Sequence, residues 1–180
     1  MVKRDLIKQV SLFILLILGI IGLRLWLFEP VTITAEMANN YLKKNDFIVT
    51  ARNVRLHHGD FILYKHEGKE YVSRVIAIEN ESVTYMDDVL YRNNMIIPEN
   101  YLKTPHSQES YTEDFTLGTL TGGKYDVIPK GQYLVLNDVR TNRKDSRSFG
   151  LIAGKDIIGR LTFRVSPLSE FGFIKTGLVR

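Results

Sequence analysis

Residues 71–78 read YVSRVIAI, and this stretch decides the class of fold because it has the composition and alternation of a β-strand. The polar turn at residues 79–81 follows it, and a second strand is predicted at residues 82–86. Upstream, the turn Gly59-Asp60 introduces a third strand at residues 60–64. Three short strands joined by tight turns are typical of an antiparallel sheet.

Outside this segment, further short strands and turns cover most of the chain. The residues from 99 to 113 are polar and predict a loop, and helix signals are weak outside residues 6–28. Strands are predicted at residues 31–35, 47–50, 89–92 with a hairpin at Asn93-Asn94, 125–128 and 132–137, with a final strand pair at 156–165. The expected fold is therefore mainly β, with an antiparallel sheet.

The N-terminal segment has a different character. Residues 10–28, VSLFILLILGIIGLRLWLF, are apolar or small except Ser11 and Arg24. As a helix this run would be about 28 Å long, which is close to the hydrocarbon thickness of a bilayer. It predicts a transmembrane helix, while a cleavable signal peptide and a buried soluble helix are the alternatives.

The basic residues before the apolar run indicate its orientation. Lys3, Arg4 and Lys8 favour a cytoplasmic N-terminus. We therefore expect residues 1–28 to form a cytoplasmic tip and a single-pass anchor in the cell membrane. Residues 29–180 would form an extracytoplasmic domain.

Composition excludes several classes of function. The chain has 180 residues and no cysteine, so disulfides, thiolate catalysis and cysteine-based zinc sites are ruled out. Of its net charge of +4, residues 1–28 carry +3 and residues 29–180 carry only +1, which argues against binding of nucleic acid. The four histidines lack the paired spacing of a metal site. We expect no metal and no cofactor.

Several blocks, in a fixed order behind the apolar segment, resemble bacterial type I signal peptidases. The strongest block covers residues 127–152, and the resemblance runs from residue 1 to about residue 167. The blocks are Phe28-Glu29-Pro30, a methionine-containing segment that ends Lys43-Lys44-Asn45-Asp46, Gly59-Asp60-Phe61-Ile62, Tyr71-Val72-Ser73-Arg74-Val75-Ile76-Ala77, Asn137-Asp138-Val139-Arg140, Asp145-Ser146-Arg147 and Gly150-Leu151-Ile152.

The resemblance implies a mostly antiparallel β fold whose apolar rim rests on the membrane, and a Ser–Lys dyad that cleaves signal peptides. Burial lowers the pKa of a lysine, so a neutral lysine is able to deprotonate the serine that attacks the peptide carbonyl. A further hydroxyl orients this lysine in the family.

This chain departs from the family at all three of those positions. Aligning on the methionine places Glu36 where the family has its serine, whereas counting back from Leu42 places Met37 there. The position of the lysine holds Ser73, and that of the orienting hydroxyl holds Arg143. None of these replacements restores an alcohol next to a basic amine, so the sequence predicts that the dyad is lost.

The charged residues that the family keeps around the dyad are present. The resemblance implies that they form a structural network, with a solvated surface cluster as the alternative. They are Arg74, Asp138, Arg140, Asp145 and Arg147.

Other hydroxyls offer a relocated nucleophile as an alternative. Thr34, Ser73 and Ser146 are near the site in the family's geometry, and Lys65 and Lys69 flank the strand that carries Ser73. The segment between these two lysines predicts a solvated hairpin turn, which disfavours a relocated dyad.

A signal peptidase holds its substrate as an extended strand, which depends on backbone hydrogen bonds and pocket shape. The resemblance implies that Thr34, Ala35 and Met37 line such a cleft.

The hypothesis is a non-catalytic accessory or chaperone in pilus assembly at the cell surface, like the inactive pilus-associated members of the family in Gram-positive bacteria. Its expected partner is an exported protein, a pilin or a sortase. An active signal peptidase with an atypical site and a scaffold that binds no peptide are the alternatives.

Overall fold

A computed structural model of the chain describes residues 2–102 and 110–176. Its first element is a long helix, α1 (Val2–Leu27), which agrees with the predicted helix. Apolar side chains such as Leu12, Phe13 and Leu15 are exposed along it. The predicted transmembrane helix is not supported, because no helix in the described part of the chain combines the length and hydropathy needed to cross a membrane.

The rest of the described chain is mainly β. Two short helices, α2 (Leu117–Leu120) and α3 (Ser146–Phe149), interrupt it. The strands are β1 (Phe28–Thr32), β2 (Phe47–Ala51), β3 (Phe61–His66), β4 (Lys69–Ala77), β5 (Val83–Met86), β6 (Val89–Arg92), β7 (Met95–Ile97), β8 (Phe115–Thr116), β9 (Gln132–Leu136), β10 (Ile152–Ala153), β11 (Ile157–Ser166) and β12 (Gly172–Phe173).

These strands form two antiparallel sheets. The larger sheet has the order β1-β2-β11-β3-β4-β9-β10, with β12 paired to β11. The smaller sheet has the order β7-β6-β5-β8. The predicted class, mainly β with antiparallel pairing, is confirmed.

The core follows from the apolar positions of the central strands. Ile62, Leu63 and Tyr64 of β3 are fully buried, and Leu134 and Val135 of β9 are buried as well. Burying large aliphatic and aromatic side chains is the main favourable term in folding. The central strands β3, β4 and β9 are therefore the rigid frame on which the loops are carried.

Several predicted boundaries were wrong. The first strand lies at Phe28–Thr32 rather than at 31–35, and residues 33–39 leave the sheet. The predicted last strand pair is one continuous strand, β11, which lies between β2 and β3. Residues 125–128 form no strand, although Ile128 is buried and exchanges backbone hydrogen bonds with Asn80 and Glu81.

The C-terminal tail, whose structure the sequence leaves undetermined, docks onto the sheet. β12 pairs with β11 through Phe163–Phe173 and Arg164–Gly172. Farther along, the carbonyl of Thr176 accepts a hydrogen bond from Arg74 Nη1. The tail therefore reaches the strand that carries Ser73.

Candidate functional site

Two loops and one strand enclose a narrow groove on the larger sheet. The loop after β1 supplies one wall, the loop after β9 supplies the other, and β4 forms the floor with Phe61 of β3. We call this site the groove; its lining is Glu36, Met37, Ala38, Asn39, Phe61, Val72, Ser73, Arg74, Asn137, Asp138, Val139 and Asn142. The volume open to the centre of a water molecule is about 10 Å³, which leaves room for about one water.

Ser73 lies at the floor of the groove and is 2% exposed. Its Oγ donates a hydrogen bond to Asn137 Oδ1 (2.8 Å) and lies 3.1 Å from the Tyr64 hydroxyl. Because the single proton of the Ser73 hydroxyl is used for Asn137, the Tyr64 hydroxyl donates to Ser73. Burial raises the pKa of Tyr64, so the phenol stays neutral at physiological pH. Ser73 is therefore held by neutral partners, none of which is able to accept its proton.

Glu36 lies at the rim of the groove and is exposed. Its Oε1 is 2.9 Å from Lys144 Nζ, and its backbone carbonyl accepts a hydrogen bond from Asn142 Nδ2 (3.0 Å). The hydrogen bond from Lys144 lowers the pKa of Glu36, and the same bond raises the pKa of Lys144. The lysine that the fold brings to this rim is therefore protonated at neutral pH and bonded to a carboxylate.

Arg143 does not join the other two altered positions. It is exposed, pairs with Glu113 on the outer surface, and does not line the groove. The Glu113 pKa is lowered by this contact. The structure thus brings Glu36 and Ser73 into one groove and places Arg143 outside it.

The three residues predicted to line a peptide cleft occupy the same loop after β1. Thr34 and Ala35 are exposed, and the Thr34 carbonyl accepts a hydrogen bond from the Ala38 backbone N–H (3.1 Å). Met37 is half-buried and packs against the core cluster that contains Ile33. Of the three, only Met37 lines the groove, while Thr34 and Ala35 lie next to its rim along the chain. Their predicted role in binding stays a prediction.

The relocated dyad finds no support in the contacts. Ser146 is fully buried, and its Oγ accepts a hydrogen bond from the Val135 N–H (3.0 Å). Lys65 lies 3.9 Å from Glu70 on the surface. Within the described residues, no lysine makes a hydrogen bond with the hydroxyl of Ser73.

Arg74 and Asp138 form a buried ion pair below the groove. Arg74 Nε and Nη2 each lie 2.7 Å from a carboxylate oxygen of Asp138, and the side chains are 3% and 5% exposed. The guanidinium also lies between the rings of Phe61 (4.1 Å) and Tyr101 (4.0 Å). A buried charge needs such full pairing, and this pair is not a solvated surface cluster.

A second buried pair, Arg147 with Asp145, fixes the loop after β9. Arg147 Nε and Nη2 bind the two carboxylate oxygens of Asp145 at 2.9 and 2.6 Å. The same guanidinium donates to the backbone carbonyls of Arg140 (2.7 Å) and Asn142 (2.8 Å). Asp145 also accepts from the Asn137 N–H (2.9 Å), so the pair ties the loop to the end of β9.

Arg140, the fifth residue of the predicted network, has its own acidic partner. Its buried guanidinium pairs with Glu99, which also accepts hydrogen bonds from the hydroxyls of Tyr85 and Tyr101. Burial raises the pKa of both tyrosines, which therefore remain proton donors. Arg140 links the loop after β9 to the smaller sheet. Tyr101 contacts both Arg74 and Glu99, and Arg147 binds the Arg140 carbonyl, so the three charged groups are in contact with one another.

Among the described residues, no three acidic, histidine or cysteine side chains lie close enough together to hold a metal ion. His57 and His58 pair with Asp60 and Glu81, and His66 stacks on Phe149. His106 lies outside the described residues.

Sequence reasoning missed three residues that shape the groove: Asn137, Asn142 and Lys144. Asn137 lies within a quoted block, but nothing in the pattern shows that its side chain meets Ser73, which is 64 positions away. Lys144 meets Glu36 across 108 positions. Such contacts depend on how the loops fold back, and a single sequence carries no signal for them.

Comparisons with known proteins agree with this fold. The chain matches the family described as "Signal peptidase, peptidase S26" over residues 5–166. It is 37% identical over 156 residues to Signal peptidase IB of Staphylococcus aureus strain COL, covering 81% of this chain and 82% of that protein.

Two further relatives extend the comparison. One is "Inactive signal peptidase IA" of the same strain, 36% identical over 117 residues, with 65% of this chain and 64% of that protein covered. The other is the crystal structure of a signal peptidase I from Enterococcus faecalis V583, with a TM-score of 0.55 and 35% identity over 61% of this chain and 98% of that chain. By its family match and its relatives, the chain belongs to the signal peptidase family, peptidase S26.

Proposed function

We propose that this protein is a signal-peptidase-like protein without peptidase activity, which holds an extended segment of an exported partner in the groove. The observation that carries the proposal is the state of the two groove positions. Ser73 is bonded to a phenol and an amide, and the amine at the rim, that of Lys144, is bonded to the Glu36 carboxylate. Peptide hydrolysis by this family's chemistry needs an activated alcohol beside an unprotonated base.

The retained frame supports binding rather than chemistry. The buried pairs Arg74–Asp138 and Arg147–Asp145 hold β4 and the loop after β9 in place without the dyad. Recognition of an extended peptide relies on backbone groups and side-chain pockets. Loss of the dyad is therefore compatible with a groove that still binds. A relative described as an inactive signal peptidase supports such a loss within the family.

We further propose that the protein acts at the cell membrane, anchored by the apolar run at residues 10–28, with residues 29–180 outside the cell. The proposal rests on the sequence of that run, since α1 does not meet the length and hydropathy of a membrane span. The exposed apolar side chains of α1 and the basic residues before them support this topology. The test is accessibility of single-cysteine variants, which the cysteine-free chain makes clean. In intact cells an impermeant maleimide should label Lys155→Cys and not Lys3→Cys; the reverse pattern contradicts the topology.

For the partner, we propose a pilin or a sortase in pilus assembly. A photo-crosslinking amino acid in place of Glu36 should trap that partner in cells, while the same amino acid in place of Lys155 should not. Mass spectrometry identifies the product. Alanine at both Glu36 and Ser73 should leave pili intact, whereas Glu36→Trp should reduce them. Normal pili in the tryptophan variant would contradict a role for the groove.

An active signal peptidase with an atypical site is the second candidate, favoured by the 37% identity to Signal peptidase IB. The purified full chain in detergent, mixed with a fluorogenic signal-peptide substrate, separates the two. We expect no cleavage above that of a heat-inactivated sample. Specific turnover that Ser73→Ala or Thr34→Ala abolishes would establish the enzyme instead.

A further inference from the structure

The groove is almost shut in this structure, although its walls are loops. A peptide strand added to a sheet lies about 4.8 Å from its neighbour and fills the space between with its backbone and side chains. The groove has room for only about one water, which is too little for a peptide strand. Two contacts cross its mouth, namely the ion pair between Glu36 and Lys144 (2.9 Å) and the hydrogen bond from Asn142 Nδ2 to the Glu36 carbonyl (3.0 Å). Both contacts join the loop after β1, which is one wall of the groove, to the loop after β9, which is the other.

We propose that Glu36, Asn142 and Lys144 form a latch that closes the groove, and that its opening controls when the groove accepts an extended peptide. This inference rests on the proposed function, since it assigns the regulation of the same groove. Glu36, which one of the two alignments places at the family's nucleophile position, would thus have a role in closing the groove. We call these three residues and their two contacts the latch.

The two sides of the latch differ in how firmly they are held. On one side, the buried Arg147 binds the carbonyls of Arg140 and Asn142, which fixes the loop that carries Asn142 and Lys144. On the other side, Thr34, Ala35 and Glu36 are exposed. Opening therefore moves the turn at residues 35–37 and leaves the loop after β9 in place.

The latch is built to open easily. The side chains of Glu36 and Lys144 are 64% and 52% exposed, and exposed ion pairs are weak and screened by salt. The other charged or titratable groups that face the pair are Lys69 and Tyr71, both on β4.

The pH range of the latch follows from the pKa directions. The pKa of Glu36 is lowered from 4.5, so the ion pair persists above that value and is lost as the pH falls through the lowered pKa. The pKa of Lys144 is raised from 10.5, so the pair persists below that value and is lost as the pH rises through the raised pKa. At neutral pH both groups are charged, and ionic strength is the practical means of opening the latch.

The test uses the full chain in detergent and a fluorescein-labelled synthetic signal peptide with an Ala-Gln-Ala sequence, read by fluorescence anisotropy. Glu36→Gln with Lys144→Met removes the ion pair. The matched control is Lys65→Met with Glu70→Gln, because this exposed pair (58% and 42%) does not line the groove. Each is measured at about 0.05 M and about 0.5 M salt, which changes the Debye length roughly threefold.

We expect the latch variant to bind the peptide about two- to fivefold more tightly than wild type at low salt, as the loss of a weak exposed pair allows. Wild type and the control pair should gain affinity when salt is raised, and the latch variant should not. Equal affinity and equal salt response in all three would overturn the latch.

A covalent form gives an independent readout. Glu36→Cys with Lys144→Cys introduces the chain's only two thiols, which a short bis-maleimide is able to join. The joined form should not bind the peptide, and the unjoined form should bind it. Binding by the joined form at the unjoined affinity would overturn the latch while leaving the proposed function intact. If no form binds, including the unjoined one, the proposed function fails and the latch fails with it.

Discussion

Removing the carboxylate of Asp138 should destabilise the β domain strongly, because it leaves the Arg74 guanidinium buried without its counter-charge. In Asp138→Ala, the guanidinium loses two hydrogen bonds of 2.7 Å. Each hydrogen bond to a charged group contributes about 1.5–3 kcal/mol. Arg74 keeps its hydrogen bonds to the carbonyls of Gly59 and Thr176. We therefore expect the free energy of unfolding to fall by about 3–5 kcal/mol, as for other buried ion pairs that lose one partner.

Urea unfolding of the full chain in detergent measures this loss. The single tryptophan, Trp26, lies in α1, so far-UV circular dichroism of the β domain is a better signal than its fluorescence. With a slope of about 2 kcal/mol/M, the midpoint should fall by about 1.5–2.5 M. The double variant Arg74→Met with Asp138→Leu removes both charges and should lose only about 1–2 kcal/mol, mainly from the two carbonyls left without a partner.

Two results would refute this reasoning. A loss below about 1 kcal/mol for Asp138→Ala would mean that the pair contributes no more than a surface salt bridge. A double variant as unstable as the single one would mean that packing around Phe61 and Tyr101, rather than the unpaired charge, sets the cost.

Three further predictions follow from other contacts. Tyr64→Phe should lower the free energy of unfolding by about 1 kcal/mol, because it removes the hydrogen bond to Ser73. Wild type should lose stability above pH 10, since a tyrosine ionises there in the unfolded chain while the raised pKa keeps Tyr64 neutral in the fold, and the variant should lose less. Unfolding midpoints at pH 7 and pH 10.5 check both effects. Gly159→Ala should cost about 1–3 kcal/mol in thermal unfolding, since its Cβ would lie 2.7 Å from the Ala51 carbonyl; an unchanged melting temperature would contradict the overlap. Glu36→Ser with Ser73→Lys should give measurable cleavage of a signal-peptide substrate that neither single change gives, because burial lowers the pKa of a lysine at the floor of the groove. If the folded double variant does not cleave the substrate, more than the dyad has changed.

The class of fold was predictable because the strands carry local signals. The stretch at residues 71–78 corresponds to β4 (Lys69–Ala77), and the predicted turn at Asn93-Asn94 matches two residues with positive φ, 53° and 62°. The order of the strands was not predictable. β11 pairs with β2 and β3, which precede it by about a hundred positions, and such non-local pairing has no local signal.

The candidate site also has features with a signal in the sequence and contacts without one. Glu36 and Ser73 line one groove, and their correspondence to the family's catalytic positions stays a prediction. The outward position of Arg143 was not foreseen, because its pairing with Glu113 depends on how the segment before β8 folds back over the loop after β9. The same holds for Lys144, whose position in the sequence gives no hint that it meets Glu36.

The junction between α1 and β1 has a mechanical consequence. α1 ends at Leu27 and β1 begins at Phe28, so no linker separates them, and the Leu27 carbonyl accepts a hydrogen bond from the Arg52 N–H (2.8 Å). Because no flexible linker separates the helix from the sheet, rotation or tilting of one is passed to the other. The direction in which the groove faces is therefore coupled to the angle of the helix.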